Sequence, residues 1–159
     1  MEPIILHSDM NNFYASGEML YNPALRDKPI AVAGDEETRH GIVLAKNELA
    51  KTFGVRTGQV LWEARQQCPG LGCVPAHYDR YLRFSALARE IYISYTDQVE
   101  AFGLDECWVD VTGSTGLFGD GVTIADDIRA RIRQELGLTV SVGVSYNKVF
   151  AKLGSDMKK

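Results

Sequence analysis

Three carboxylates in this sequence stand where they could do chemistry together: Asp9, at the mouth of the apolar run in PIILHSDMNNF, and the adjacent Asp105 and Glu106 in GLDECWVDV. Packed at one place, such groups repel one another and resist ionising unless a cation neutralises them. Hard divalent ions with oxygen ligands, magnesium above all, suit that cluster. Two such ions about 3.5 to 4 Å apart form the clamp used for in-line phosphoryl and nucleotidyl transfer, one activating the attacking oxygen and one holding the leaving phosphates. A helix start at Asn11 and Asn12, directly after Asp9, offers backbone N–H groups to those phosphates. The plainer alternative is that all three are surface carboxylates at strand ends, common near turns, and the pattern alone leaves both readings open.

The elements that must position these residues follow from periodicity. PIILHS alternates as a strand with Ile5, His7 and Asp9 on one side, so Asp9 lies at its C-terminal end. NNFYASGEML continues as a helix with Asn11 or Asn12 as its cap, stopped by Tyr21, Asn22 and Pro23. Residues 22–77 have the texture of a small subdomain: short strands in PIAVAG and GIVLA, short helices in NELAKTFGV and VLWEARQQC, and CPGLGCVPAHY as the connection leaving it. YDRYLRFSALAREIYISYT then resumes helical spacing, with Tyr81, Phe84, Ala88, Ile91, Tyr92 and Tyr95 on one face.

QVEAFGLDECWVDVTG reads as a hairpin turning near Gly103. A helix follows from about Val122 to Leu136, closed by Gly137; LTVSVGVS is a strand and NKVFAKLGSDMKK a final basic helix. Outside the insertion this order predicts an α+β fold of the ferredoxin-like, split βαβ type. In such a sheet the first strand adjoins the hairpin, which brings the three carboxylates to one sheet end. Neighbouring strand residues face opposite ways, so Asp105 and Glu106 share a site only if the backbone bends, and Gly103 supplies a permissive backbone just before them.

The totals set limits. With 159 residues and 45% hydrophobic content the chain can bury a core. It holds no apolar run of the roughly 18 to 20 residues that span a bilayer, and its start lacks a signal-peptide pattern, so the expectation is a cytoplasmic protein with no membrane partner. Cys68, Cys73 and Cys107 are odd in number and form no CxxC pair, which predicts reduced thiols. Zinc on Cys68, Cys73 and His77 would lack a fourth ligand. A net charge of −4 argues against a surface that grips nucleic acid everywhere, although Lys148, Lys152, Lys158 and Lys159 make the C-terminal segment locally basic. A solvated helix face is the plain reading of that run.

Taken together, HSDMNNFYAS, KTFGVRTG, GLDECWVDVTGS and SVGVSYNKVFAKLGSDMKK resemble, in order and spacing, the motifs of the Y-family DNA polymerases, over essentially all 159 residues. The resemblance implies a palm from residues 1–20 and 78–159 and fingers from 21–77. Because that family continues into a thumb and a little finger, it also implies that this chain is a truncated piece. By the same resemblance Asp9, Asp105 and Glu106 are the catalytic carboxylates, Glu106 being the glutamate beside the two aspartates; all three bind metal together with the Met10 backbone carbonyl, and the cofactor is Mg2+, as two ions. Asn12, Phe13 and Tyr14 lie at the nucleotide, with Tyr14 a steric gate whose ring would clash with a 2′-hydroxyl; Phe13 is equally a packing aromatic. Lys51 and Lys159 match residues that reach the triphosphate.

Four positions depart from the family pattern. Lys51 replaces an arginine and cannot form its bidentate fork. Glu48 replaces a phosphate-binding tyrosine, with Lys46 nearby to compensate. Asn11 replaces an aspartate, and Gly17 replaces a larger apolar residue at a cost of about 0.5 to 1 kcal/mol relative to alanine.

The implied function is low-fidelity translesion synthesis in DNA repair and damage-induced mutagenesis, with Val32, Ile42 and Leu44 as roof residues of an open site. The implied partners are primer-template DNA, dNTP and, for the full-length parent, a sliding clamp bound through a region beyond residue 159. The piece alone is expected to bind DNA weakly and in a salt-sensitive way, and its own activity is left open. A palm-fold nucleotide cyclase is the enzymatic alternative, disfavoured by the lack of a GGDEF-like turn. A catalytically inactive scaffold or regulatory relative is the other, opposed by the intact carboxylates but kept open by Glu48.

Overall fold

The computed structural model describes residues 2–34 and 41–157. The chain divides into two compact units, residues 1–11 with 82–159, and residues 12–81.

The first unit is built on a four-stranded antiparallel sheet. Its strands are β1 (Ile5–Met10), β5 (Val99–Phe102), β6 (Glu106–Asp110) and β7 (Val140–Ser145), in the order β5-β6-β1-β7. The expected hairpin β5–β6 is present, and Gly103, with φ 71°, makes the left-handed turn that only glycine enters freely. Strand β6 lies between β5 and β1, the split βαβ arrangement expected from the element order.

Alternation divides the sheet into two faces. On one, Ser8 is hydrogen-bonded to Tyr92 of α4 (Tyr78–Ile93) at 2.8 Å, and α6 (Gly121–Leu136) buries Ile124, Ile128 and Ile132. Helix α6 begins where Asp120 accepts the Thr123 N–H at 2.8 Å and ends at left-handed Gly137, as the sequence predicts. A shorter helix, α5 (Thr115–Phe118), precedes it.

The opposite face carries His7 and Trp108 and receives α7 (Lys148–Asp156), capped by Asn147, which accepts the Phe150 N–H at 2.9 Å. Close approach here depends on Gly143: a Cβ on it would lie 1.9 Å from the Ala151 carbonyl oxygen and 2.5 Å from the Ser155 nitrogen.

The second unit holds α1 (Phe13–Tyr21), a 3-10 turn at Pro23–Asp27, and a three-stranded sheet of β2 (Ile30–Ala33), β3 (Val43–Lys46) and β4 (Gly72–Pro75) in the order β3-β2-β4. Between β3 and β4 run α2 (Glu48–Thr52) and α3 (Leu61–Gln67). Its core combines small side chains, among them Ala31, Ala33, Ala50 and Ala64, with Val43 and Leu61. Asn47 is the polar knot of this unit. Buried, it accepts the N–H of Ala50 at 3.0 Å, capping α2, accepts that of Ile30 at 3.1 Å, and donates to the Lys28 carbonyl at 2.7 Å.

One expectation needs correction and another refinement. CPGLGCVPAHY is more than a connection, because Gly72–Pro75 pairs with β2 in parallel, a pairing that α2 and α3 make possible as the crossover. Asn12 is the N-cap of α1, one of the two candidates, but in a left-handed conformation (φ 46°) and without the side-chain capping hydrogen bond. It donates instead to Glu48 at 2.8 Å.

Candidate active site at the strand ends

In the first unit the antiparallel register sets Asp9 directly opposite Glu106, which puts both side chains on the same sheet face as His7. The ladder continues past the strand end, since the Met10 N–H donates to the Asp105 carbonyl at 2.9 Å. Asp105 lies in the turn, one residue before β6, so it escapes strict alternation. The backbone thus gathers Asp9, Met10, Asp105 and Glu106 at one end of the sheet. Among the described residues, however, no three His, Cys, Asp or Glu side chains close on a point that could hold a metal ion.

The Glu106 side chain is engaged on its own face: His7 Nε2 lies 3.2 Å away and Lys152 Nζ 3.6 Å away. His7 is fully buried and its Nδ1 is 2.7 Å from Ser155 Oγ. That hydroxyl donates to the Lys152 carbonyl at 2.8 Å, which leaves its oxygen to accept from Nδ1–H. Nε2 then carries a lone pair in the neutral ring and a proton in the imidazolium, and only the second attracts a carboxylate. Trp108 meets the His7 ring edge-on at 5.3 Å and donates to the Lys148 carbonyl at 3.2 Å, fixing the start of α7.

His7, Lys152 and Ser155 stand next to the candidate site without a signal in the sequence that assigns them to it. Alternation puts His7 on the Asp9 side and no more. No local pattern reveals that α7 lies on that face.

Asn11 belongs to the same unit. Its N–H donates to the Thr139 carbonyl at 2.9 Å, its amide donates to Thr139 Oγ1 at 3.2 Å, and it accepts from Ser141 Oγ at 2.8 Å. An aspartate could not make the donation to Thr139.

The second unit carries the remaining candidates. Tyr14 is half-buried and stacks on Tyr81, with ring centroids 4.2 Å apart and planes 9° from parallel. Tyr78 meets Tyr14 edge-on at 5.8 Å, and buried Phe13 packs against Tyr14 at 5.7 Å. Lys51 is exposed on α2. Burial, then the Lys51 charge, lowers the Lys46 pKa from its ordinary value, while Glu48 opposes the shift. Glu48 accepts from the Asn12 amide at 2.8 Å. Lys159 lies outside the described residues.

The structure is a ferredoxin-like sheet with carboxylates at one strand end and a small inserted unit, and the sequence matches the impB/mucB/samB family over residues 8–156. The chain belongs to that family. It is 66% identical over its whole length to DNA polymerase IV of Acetivibrio thermocellus, covering 40% of that protein. It is 43% identical to DNA polymerase IV of Moorella thermoacetica over 98% of this chain and 39% of the relative. A solved Y-family DNA polymerase chimera, Dbh-Dpo4(243-245)-Dbh, superimposes with a TM-score of 0.92 at 31% identity, over 98% of this chain and 46% of that one. The chain therefore spans about two-fifths of the length of the curated relatives it matches.

Proposed function

We propose that the chain forms the palm, residues 1–20 and 78–159, and the fingers, residues 21–77, of a low-fidelity, translesion DNA-directed DNA polymerase. The observation that carries this reading is the register at the β1 and β6 ends, which sets Asp9 opposite Glu106 and ties Met10 to Asp105. Family membership and relatives named DNA polymerase IV support it.

The donor set suits the cofactor: two carboxylates, Asp9 and Asp105, and the Met10 carbonyl are hard oxygen ligands of the kind magnesium takes. Two magnesium ions held there would neutralise charge during transfer of a dNTP to a primer 3′-hydroxyl. Glu106 stands beside these ligands, its carboxylate 3.6 Å from Lys152 Nζ and 3.2 Å from His7 Nε2. Asn11 keeps the end of β1 in register with β7, so Asp9 and Met10 are presented from a fixed backbone.

Tyr14 supplies the ring that excludes a 2′-hydroxyl, and Lys51 and Lys159 meet the triphosphate. Lys46 shares that work where Glu48 does not. The substrate is primer-template DNA, the setting is repair and mutagenesis in the cytoplasm, and a sliding clamp is a partner of the longer protein. Among the described residues no helix is long and apolar enough to cross a membrane.

The test is primer extension by the full-length protein with dNTP and Mg2+. Extension should be lost in Asp105→Ala while the fold is kept, and retained extension in that variant would contradict the proposal.

A further inference from the structure

One stripe of α1 reads Tyr14, Glu18, Tyr21, spaced four and three residues apart so that all three share a face. Each meets a residue between His77 and Tyr81. Tyr14 lies flat on Tyr81, and the Arg80 guanidinium sits 4.2 Å above the Tyr21 ring. Between them Glu18 is only 2% exposed.

A carboxylate so buried is costly unless its oxygens are hydrogen-bonded. Here Oε1 accepts from the Tyr81 hydroxyl at 2.7 Å and from His77 Nδ1 at 2.8 Å, and Oε2 accepts from Arg80 Nη1 at 2.8 Å. The Tyr81 oxygen is held from its other side by the His77 backbone N–H at 3.2 Å. Fully buried Tyr81 therefore cannot slide or tilt without breaking two hydrogen bonds, and the Tyr14 ring rests on it.

We propose that Glu18 is the positioning residue for Tyr14. By fixing Tyr81 and clamping α1 to the segment 77–81, it sets the plane of the ring that discriminates the nucleotide sugar. The inference rests on the reading of Tyr14 as the sugar gate. Glu18 touches no substrate, and its effect passes through Tyr81.

The experiment measures kcat/KM for a dNTP and for the matching rNTP with the full-length protein on primer-template DNA. Glu18→Gln keeps the shape and removes the charge; Tyr81→Phe keeps the ring and removes the hydroxyl; Tyr14→Ala is the control. Both positioning variants should lower the dNTP/rNTP ratio by about tenfold or more, the scale of losing a hydrogen bond to a charged group. The change should come from faster ribonucleotide incorporation, with dNTP efficiency little moved.

An unchanged ratio in Glu18→Gln and Tyr81→Phe, with a collapsed ratio in Tyr14→Ala, would overturn the inference and leave the gate standing. Equal losses on both nucleotides would overturn it too, since they mark a purely structural role. An unchanged ratio in Tyr14→Ala would overturn the gate itself. Should Glu18→Gln fail to fold, Tyr81→Phe decides the matter.

Discussion

Replacing Gly143 by alanine is the sharpest perturbation of the face that carries Glu106. The added methyl would lie 1.9 Å from the Ala151 carbonyl oxygen, 2.5 Å from the Ser155 nitrogen and 2.9 Å from the Gly154 carbonyl carbon. Ordinary contact is about 3.5 Å, so α7 must retreat by roughly 1.5 Å. All three atoms are helix backbone and cannot rotate aside. Overpacking a core costs typically about 1 to 3 kcal/mol, and a clash with a helix backbone belongs at the upper end. In a chain of this length about 3 kcal/mol lowers the melting temperature by roughly 6 to 12 °C.

The same retreat would stretch the 2.7 Å contact of His7 with Ser155 and carry Lys152 away from Glu106. Nucleotide insertion should therefore fall along with stability. Gly154→Ala is the control: its methyl would meet the Gly143 Cα at 3.2 Å, a strain of tenths of an ångström, and a helix gains about 1 kcal/mol from alanine over glycine. Thermal unfolding followed by circular dichroism checks both. A Gly143→Ala protein that melts with the wild type, or no earlier than Gly154→Ala, would refute the close packing of α7 on β7.

Two further outcomes concern stability alone. Asn47→Ala removes the α2 cap and leaves the Ile30 N–H and the Lys28 carbonyl without their partner, so it should cost about 3 kcal/mol, read from the guanidinium denaturation midpoint; a change below about 1 kcal/mol would contradict the role given to it. Burial raises the hydroxyl pKa of Tyr81 and of Tyr92 above the ordinary tyrosine value. The stability that these groups contribute is complete below about pH 10 and is lost as the pH climbs from there towards the folded-state values. The midpoint should fall over that alkaline range and fall less steeply in Tyr92→Phe. An equally steep fall in that variant would count against the assignment.

Much of the first unit was legible in the sequence because its signals are local and periodic. Isoleucines at steps of four mark α6, Gly103 marks the hairpin, and alternation in PIILHSD places His7 and Asp9 on one face. Strand β4 escaped because four residues containing a glycine and a proline carry no alternation, and its partner β2 lies some forty residues earlier.

Glu18 escaped for a related reason. Its three donors come from residues 77–81, about sixty positions downstream, so nothing near it in the chain announces a buried carboxylate. The meeting of Asp9 with Glu106 was inferable only through the fold class, since strand order rather than spacing brings them together. The placing of Lys152 and Ser155 beside Glu106 and His7 depends on which face α7 covers, and that is set by the close approach at Gly143.

The most direct measurement is single-turnover nucleotide insertion by the full-length protein carrying Glu106→Gln, with Mg2+, dNTP and primer-template DNA, alongside circular dichroism. A native spectrum with insertion slowed by about a hundredfold or more, the scale set by removing one catalytic acid–base or charge-stabilising group, is the expected result. Insertion at the wild-type rate would contradict the assignment of the β1 and β6 strand ends as the active site.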